Sequence, residues 1–427
     1  MTGLEATQPT AATADGQRRA AAALISELGA LPVEDDPYPL YARLREIAPV
    51  FLTTTGAAYL TGYDDCLTVI RDTKLRAQSP DWMDGVQPGW RDHPGLRATH
   101  ESFIFRDPPD HTRLRRPVSG PFTYRQVDTL RGYIGDQIEE VLDEIADAGA
   151  DGGPVDLHEL LATSLPISVI GKVIGIPEAD QEMLRKPLEG LRLAVDGSSR
   201  SGLLPQIDEA AVALVGYFAG LVADRLAHPR DDLASELAAM QDSAAGPDGP
   251  GPPLTEDELL QTITLTYSAA IESMVDLLLN GMAALLAHPG QADKLRRDPG
   301  LADSAVEEMV RYDSAAQLLV RIPAEEFHIG GITIPAGSYI MALIAAGNRD
   351  PARFDDPDTF DITRTGSSPL SFGGGVHHCL GASLARVQGA MFFPAMLARF
   401  PDLRMAGPLV RRGSVLRGFA HFPVAIR

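Results

Sequence analysis

Apolar residues recur at helical spacing over most of this chain, and strand-like alternation is confined to short stretches. The pattern predicts helices over residues 20–31 and 39–47. Residues 50–60 predict a small β region with Gly56 at its turn. Residues 63–71 return to helix. From 78 to 109 the periodicity fades, and Trp82, Pro88, Trp90 and Pro94 fall there. A loop this long in a compact domain is usually functional or disordered, and its aromatics favour a pocket cover. Helix resumes at 111–120 and continues through 127–148, 157–175 and 178–194.

The Ser/Gly run at 196–202 predicts a flexible turn between two helices, and 242–253 a second Gly/Pro-rich loop. Thr255-x-x-Glu258 is a capping box, with Glu256 and Asp257 favouring the positive end of the helix it opens. That helix is predicted to reach Ala287, about 50 Å by rise per residue. Residues 326–343 predict strands, with turns at Gly330-Gly331 and Pro335-Ala336-Gly337. A last helix is predicted from Ala382 to Phe400. No internal repeat is visible, and the fold class is mainly α.

With 427 residues, one large domain or two fused lobes would both fit. The expected division is a disordered or loosely packed leader over 1–34 and a single domain over 35–427. The start of the chain is polar and lacks the apolar core of a signal peptide. A net charge of −21 argues against nucleic acid and against an anionic membrane surface. No uninterrupted apolar run approaches the roughly 20 residues of a membrane span. Two cysteines, Cys66 and Cys379, fit a reducing cytoplasm better than a disulfide framework. No C-x-x-C-H, zinc spacing, G-x-S-x-G elbow or P-loop is present.

The most informative stretch is Ser371-Phe372-Gly373-Gly374-Gly375-Val376-His377-His378-Cys379-Leu380-Gly381. An isolated free cysteine is most often a small buried hydrophobe. Here glycines free the backbone N–H groups to turn toward the sulfur, and a predicted helix starts just beyond it. Both features favour a thiolate. Phe372, Gly375, Cys379 and Gly381 fall in the order F-x-x-G-x-x-x-C-x-G, which resembles the haem-thiolate signature of the cytochrome P450 family. Further motifs of the family follow in order from about Asp35 to Arg427.

The resemblance implies a triangular helical prism with a small β-rich lobe, haem b (iron protoporphyrin IX) as cofactor, and Cys379 as its iron ligand. Such a thiolate pushes electron density onto iron and favours O–O cleavage. Within the long helix, Ala269-Ala270-Ile271-Glu272-Ser273 stands where the family carries A-G-x-[D/E]-T. Small Ala269 and Ala270 would leave room over the distal haem face. Glu272 beside Ser273 would deliver protons. The match is partial: Ala270 replaces glycine and narrows the groove, and Ser273 lacks the methyl that restricts threonine. A hydroxyl in mid-helix can also bond the carbonyl four residues back. Weakened proton delivery would suit radical coupling better than clean hydroxylation.

Glu308-x-x-Arg311 resembles the family's E-x-x-R, with Arg364 placed to complete a brace under the cysteine loop. Taken alone, the pair reads as a surface ion pair worth little. His111 and Arg115, with Arg321 and His377, fall where the family places partners for the haem propionates. Individually each reads as a solvated surface charge. Arg113, Arg116 and Arg386 form a possible basic patch for an acidic ferredoxin. Trp82, Met83, Phe103, Ile104, Leu191, Leu193, Gln317, Leu318, Leu416 and Phe419 are expected to line an apolar pocket. Individually each reads as core.

The resemblance therefore implies a cytoplasmic haem-thiolate monooxygenase of secondary metabolism. It would act on a hydrophobic small molecule, with electrons from ferredoxin and ferredoxin reductase. Two alternatives stay open: oxidative C–C, C–N or C–O coupling without oxygen insertion, and a non-catalytic haem-binding sensor.

Overall fold

The computed structural model describes residues 11–162, 164–195, 202–242 and 254–427. Helices dominate, and they gather around one of them, Glu256–Ala287. Capping fixes its start. The Glu258 N–H donates to Thr255 Oγ1 at 3.2 Å, and the Thr255 N–H donates to the Glu258 carboxylate at 3.0 Å. The same carboxylate accepts both terminal nitrogens of Arg113, at 2.9 and 2.5 Å. The long helix is thereby tied to the short helix Asp110–Arg115. Between Leu259 and Met282, only Ser268, Ala269, Ala270, Glu272 and Ser273 escape burial.

The β structure lies to one side. A five-stranded sheet runs Val50–Leu52, Ala58–Leu60, Ile340–Ala342, Leu319–Pro323, Leu75–Arg76. Its pairs are antiparallel except Ala58–Leu60 with Ile340–Ala342. Gly56 makes the first turn with φ +87°, a conformation that favours glycine. A hairpin near the C-terminus, Val410–Arg412 with Gly418–His421, packs on the long helix.

The mainly helical class and most predicted elements are present. The helix predicted over 63–71 is Tyr63–Arg71, and the last helix is Ala382–Arg399. The segment 78–109 differs from its reading as a loop. Pro80 and Pro94 each stand in the first turn of a short helix, Pro80–Val86 and Pro94–His100. A proline there gives up no hydrogen bond, so it starts a helix as readily as it breaks one. The helix expected over 157–175 is split into Leu157–Leu161 and Leu165–Ile174. Arg321 lies inside the strand Leu319–Pro323, paired with Ile340, rather than ahead of the strand region.

The helix predicted over 20–31 is present but begins earlier, and it docks on the domain rather than packing loosely. Ala11–Ala30 is a helix, and Ala21 and Leu24 are buried against Tyr38, Tyr41, Leu44 and Leu343. Alanine-rich sequence has high helix propensity, and two apolar residues three apart give it a face to dock. Residues 1–10 lie outside the described residues, as do most of the turn at 196–202 and the loop at 242–253.

Among the described residues, the continuous helices Leu204–Ala227 and Glu256–Ala287 are long and apolar enough to cross a membrane by length and composition. Counting uninterrupted apolar residues missed them, because scattered polar residues leave the mean hydropathy high. The last of these has 72% of its apolar window buried inside the protein.

Candidate active site

The cysteine loop consists of two tight turns, Leu370–Phe372 and Gly375–His377, joined through glycines. Gly373 and Gly375 have φ of +67° and +61°. A Cβ on Gly375 would stand 3.3 Å from both the Arg71 Cα and the Ile70 carbonyl oxygen. The loop therefore lies directly on the end of helix Tyr63–Arg71. The Cys379 N–H donates to the Phe372 carbonyl at 2.8 Å and closes the loop.

Cys379 is exposed, unlike Cys66, and both are free thiols. The Cys379 pKa is raised, against the expectation of a thiolate-favouring site. Burial is the largest cause, and the N–H groups of Gly381 and Ala382 and the charges of Arg115 and Arg386 pull the other way. A thiol open on one face and enclosed by protein on the others loses more hydration than these groups return. Metal coordination would reverse the balance, because a coordinating thiol is deprotonated outright.

Four nitrogen-bearing side chains gather beside this loop. His111 is buried with both ring nitrogens unpartnered. Its ring meets His377 edge to face at 4.4 Å between centroids. Arg115 donates to the carbonyls of Val376 and His378, at 3.3 and 2.6 Å. Arg321 is buried and donates to the Val320 carbonyl at 2.8 Å. Among the described residues, neither Arg115 nor Arg321 forms an ion pair. Burial pushes His111 down to about 4, and neighbouring Arg115 and Arg321 add to the shift. His377 is lowered to about 3 by burial, then Arg321, His111 and Arg115.

Two arginines outside any ion pair among the described residues, next to a buried imidazole with idle nitrogens, call for an anionic ligand. Haem, with two propionates and an iron open to one thiolate, fits this donor set. Among the described residues, no group of three His, Cys, Asp or Glu side chains is placed to hold a bare metal ion.

On the long helix, the Ser273 hydroxyl donates to the Ala269 carbonyl at 2.7 Å, the bond four residues back that the sequence allowed. Ala269 is exposed and Ala270 half-buried, so this stretch borders open space inside an otherwise enclosed helix. Glu272 is not a free carboxylate. It meets Arg412 Nη1 at 2.8 Å and Arg192 Nε at 3.6 Å. Neither arginine was legible as its partner, since both come from distant elements.

Glu308 and Arg311 form a fully buried bidentate pair, at 2.7 and 2.8 Å. Arg364 Nε reaches the same carboxylate at 3.2 Å. Arg311 also donates to the carbonyls of Asn348, Pro357 and Thr359. Two further residues escaped the sequence reading. Asn348 donates to Ser371 Oγ at 2.8 Å and accepts from the Leu370 N–H at 2.7 Å. Ser371 Oγ in turn bonds Ser314 and the Val310 carbonyl. These contacts fasten the start of the cysteine loop to helix Ala302–Tyr312 and the turn after it.

Several expected pocket residues are instead packed inside the protein. Met83 joins Trp90 and Leu96 in a small cluster, and Phe103, Leu191 and Phe419 belong to the main core. Phe419 also carries the Arg411 guanidinium on its ring at 3.9 Å. The Gln317 amide is committed at both ends, to the Ser314 carbonyl and the Tyr41 hydroxyl. Their apolar or amide character satisfied core contacts, which sequence alone could not separate from lining. Trp82 and Leu318 are half-buried, and Ile104 is exposed. The basic patch is partly neutralised: Arg113 pairs with Glu258 and Asp110, and Arg386 with Glu307.

Known proteins resemble the chain over nearly all of its length. The family pattern described as Cytochrome P450 matches residues 300–403. The chain is 35% identical to a protein named cytochrome P450 monooxygenase PikC, of Streptomyces venezuelae, covering 94% of each. It is 36% identical to the 6-deoxyerythronolide B hydroxylase of Saccharopolyspora erythraea, over 92% of this chain and 96% of that one. Its fold superposes with a TM-score of 0.83 on P450BioI, solved in complex with an acyl carrier protein ligated to hexadec-9Z-enoic acid. That match has 31% identity and covers 94% of this chain and 99% of that one.

Proposed function

This chain belongs to the cytochrome P450 family, and from that membership we propose that it oxidises a hydrophobic small-molecule natural product. It is a cytochrome P450 oxidoreductase whose cofactor is haem b, which sets aside the non-catalytic sensor. Bound haem supplies the reductive activation of dioxygen and its transfer to carbon. In our reading Cys379 is the iron ligand, supported by its exposure inside a loop that glycines and Asn348 hold in place. His111, Arg115, Arg321 and His377 hold the propionates. Phe372, Gly375, Gly381 and Ala269 shape the walls of the cofactor site. Glu308, Arg311 and Arg364 brace the loop without touching substrate.

The observation that carries this reading is the pairing of one open thiol with two arginines that form no ion pair among the described residues and two neutral imidazoles. Ala269 and Ala270 border open space beside Ser273, and in this reading its hydroxyl passes protons once it leaves the Ala269 carbonyl. Electrons would come from a ferredoxin and its reductase. The domain is taken as 35–427, and a cytoplasmic setting agrees with two unpaired cysteines.

A coupling reaction without oxygen insertion is the second reading. It is favoured by Ser273 being committed to Ala269 and by Glu272 being held by Arg412. Both restrain proton delivery. Labelled dioxygen separates the two: label in the product supports hydroxylation, and unlabelled product supports coupling. The substrate class is tested by following the ferric Soret band against free macrolides, terpenes, aromatic polyketides and cyclic dipeptides. A saturable shift with one scaffold supports a free hydrophobic substrate. Silence across the panel, with a shift on a carrier-bound acyl chain, would replace it with a tethered one.

A further inference from the structure

Charged side chains from three elements meet beside the open stretch of the long helix. Glu272 and Asp276 lie one turn apart on it. Arg412, in strand Val410–Arg412, reaches both carboxylates, Nη1 to Glu272 at 2.8 Å and Nη2 to Asp276 at 2.9 Å. Arg192, from helix Glu178–Val195, approaches Glu272 at 3.6 Å. His158, in helix Leu157–Leu161, feels both arginines. The Asp276 side chain is 2% exposed. Its place depends on Gly418 in the neighbouring strand, where a Cβ would stand 1.7 Å from Asp276 Oδ1.

Both acids share Arg412, and Arg192 approaches Glu272, so Asp276 has only a share of one guanidinium among these contacts. Two carboxylates on one guanidinium compete for it, and the more deeply buried acid is the one that retains a proton. Asp276 is pushed up to about 7, chiefly by burial, with Arg412 opposing, Glu272 adding to the rise and Arg192 opposing.

We propose that Asp276 is a further positioning residue for the oxidation: sharing Arg412 with Glu272, it stores a proton one helical turn from the Glu272–Ser273 pair and governs how fast that pair is resupplied. This rests on the reading of Glu272 and Ser273 as proton donors. Hydroxylation consumes one dioxygen, two electrons and two protons and releases one water. Without substrate, full reduction of dioxygen to two waters takes four electrons and four protons. Release as peroxide takes two of each. The proton on Asp276 comes from solvent and is replaced from solvent. Below the pKa the store is filled, and above it the store is empty, so peroxide release rises as pH rises.

Infrared difference spectra of the resting holoenzyme between about pH 6 and about pH 8 read the protonated carboxyl directly. A band that titrates near pH 7 in the wild type and is lost in Asp276→Asn is expected. Substrate-free holoenzyme is then given electrons by a surrogate ferredoxin and reductase. Its peroxide released per dioxygen consumed should rise across this range in the wild type and be high and flat in Asp276→Asn. Should that variant not fold, Arg412→Lys replaces it. Lysine cannot hold both carboxylates, so the band should titrate at higher pH. An unchanged band in either variant overturns the proposal. Glu272→Gln isolates the premise. If it leaves peroxide release unchanged, the donor pair fails as read, and the proposal with it, even though the carboxyl band persists. If it raises release while Asp276→Asn leaves the pH profile untouched, the proposal alone fails.

Discussion

The rings of His111 and His377 stand edge to face at 4.4 Å, and among the described residues no hydrogen bond reaches either nitrogen of His111. Both are held neutral, at about 4 and about 3, by burial and by neighbouring arginines. The unfolded chain protonates them near 6.5. Between 6.5 and about 4 the unfolded state therefore binds more protons, and stability falls as pH falls. Chemical denaturation of the haem-free protein should show a midpoint that drops from pH 7 to pH 5. His111→Phe should flatten that dependence, and a midpoint equally steep in the variant would remove His111 from the cause.

Arg321 gives opposite signs in two assays. It is buried without an ion-pair partner among the described residues, which costs stability in the haem-free chain. Arg321→Met should leave haem-free stability equal or higher. Haem loss should be faster by roughly 10- to 100-fold, from the ~1.5–3 kcal/mol of a hydrogen bond to a charged group. Transfer of haem to an acceptor apoprotein measures it. Loss of both properties together would mark Arg321 as structural.

Glu308 predicts the reverse behaviour. Among the described residues its carboxylate is the sole acid paired with fully buried Arg311, and the same carboxylate also holds Arg364. Glu308→Gln leaves a buried cation uncompensated, at a cost of about 3–5 kcal/mol. Urea unfolding of haem-free protein should show this loss with no haem present. A loss below about 1 kcal/mol would mean that the carbonyls of Asn348, Pro357 and Thr359 alone satisfy Arg311.

What the sequence disclosed depended on how local each signal was. The capping box at Thr255 and the glycines around Cys379 act within a few residues, so helix start and loop shape were readable. The Glu308–Arg311 spacing was readable for the same reason. Arg412 lies 140 positions from Glu272, and nothing in either neighbourhood names the other. Phe419 and Met83 read as pocket lining because core and cavity wall select the same apolar residues. Ala21 and Leu24 were missed because their partners, Tyr41 and Leu343, are supplied by tertiary packing.

Cys379→Ser tests the ligand. Serine keeps the size of the side chain and the backbone bond to Phe372, so the fold should stand. The reduced carbon monoxide complex should lose its thiolate-type absorption, and turnover should cease. Survival of that spectrum would move the ligand to another residue.

Two glycines of the same loop separate shape from space. Gly375 has φ +61°, and a Cβ there meets the backbone of Ile70 and Arg71 at 3.3 Å. Gly381 has φ −83°, and a Cβ there meets nothing within 4 Å. Gly375→Ala should therefore cost roughly 1–2 kcal/mol in strain, with a further cost as the loop lifts from helix Tyr63–Arg71. That lift moves Cys379, so the carbon monoxide spectrum of Gly375→Ala should show a mixed or lost thiolate signal. Gly381→Ala should fold with wild-type stability, because its backbone is ordinary and its surroundings are open. Any effect at Gly381 should then appear only in haem retention, because the residue is read as part of the cofactor wall. Equal destabilisation of the two haem-free variants would show that loop strain at Gly375 is not what fixes Cys379.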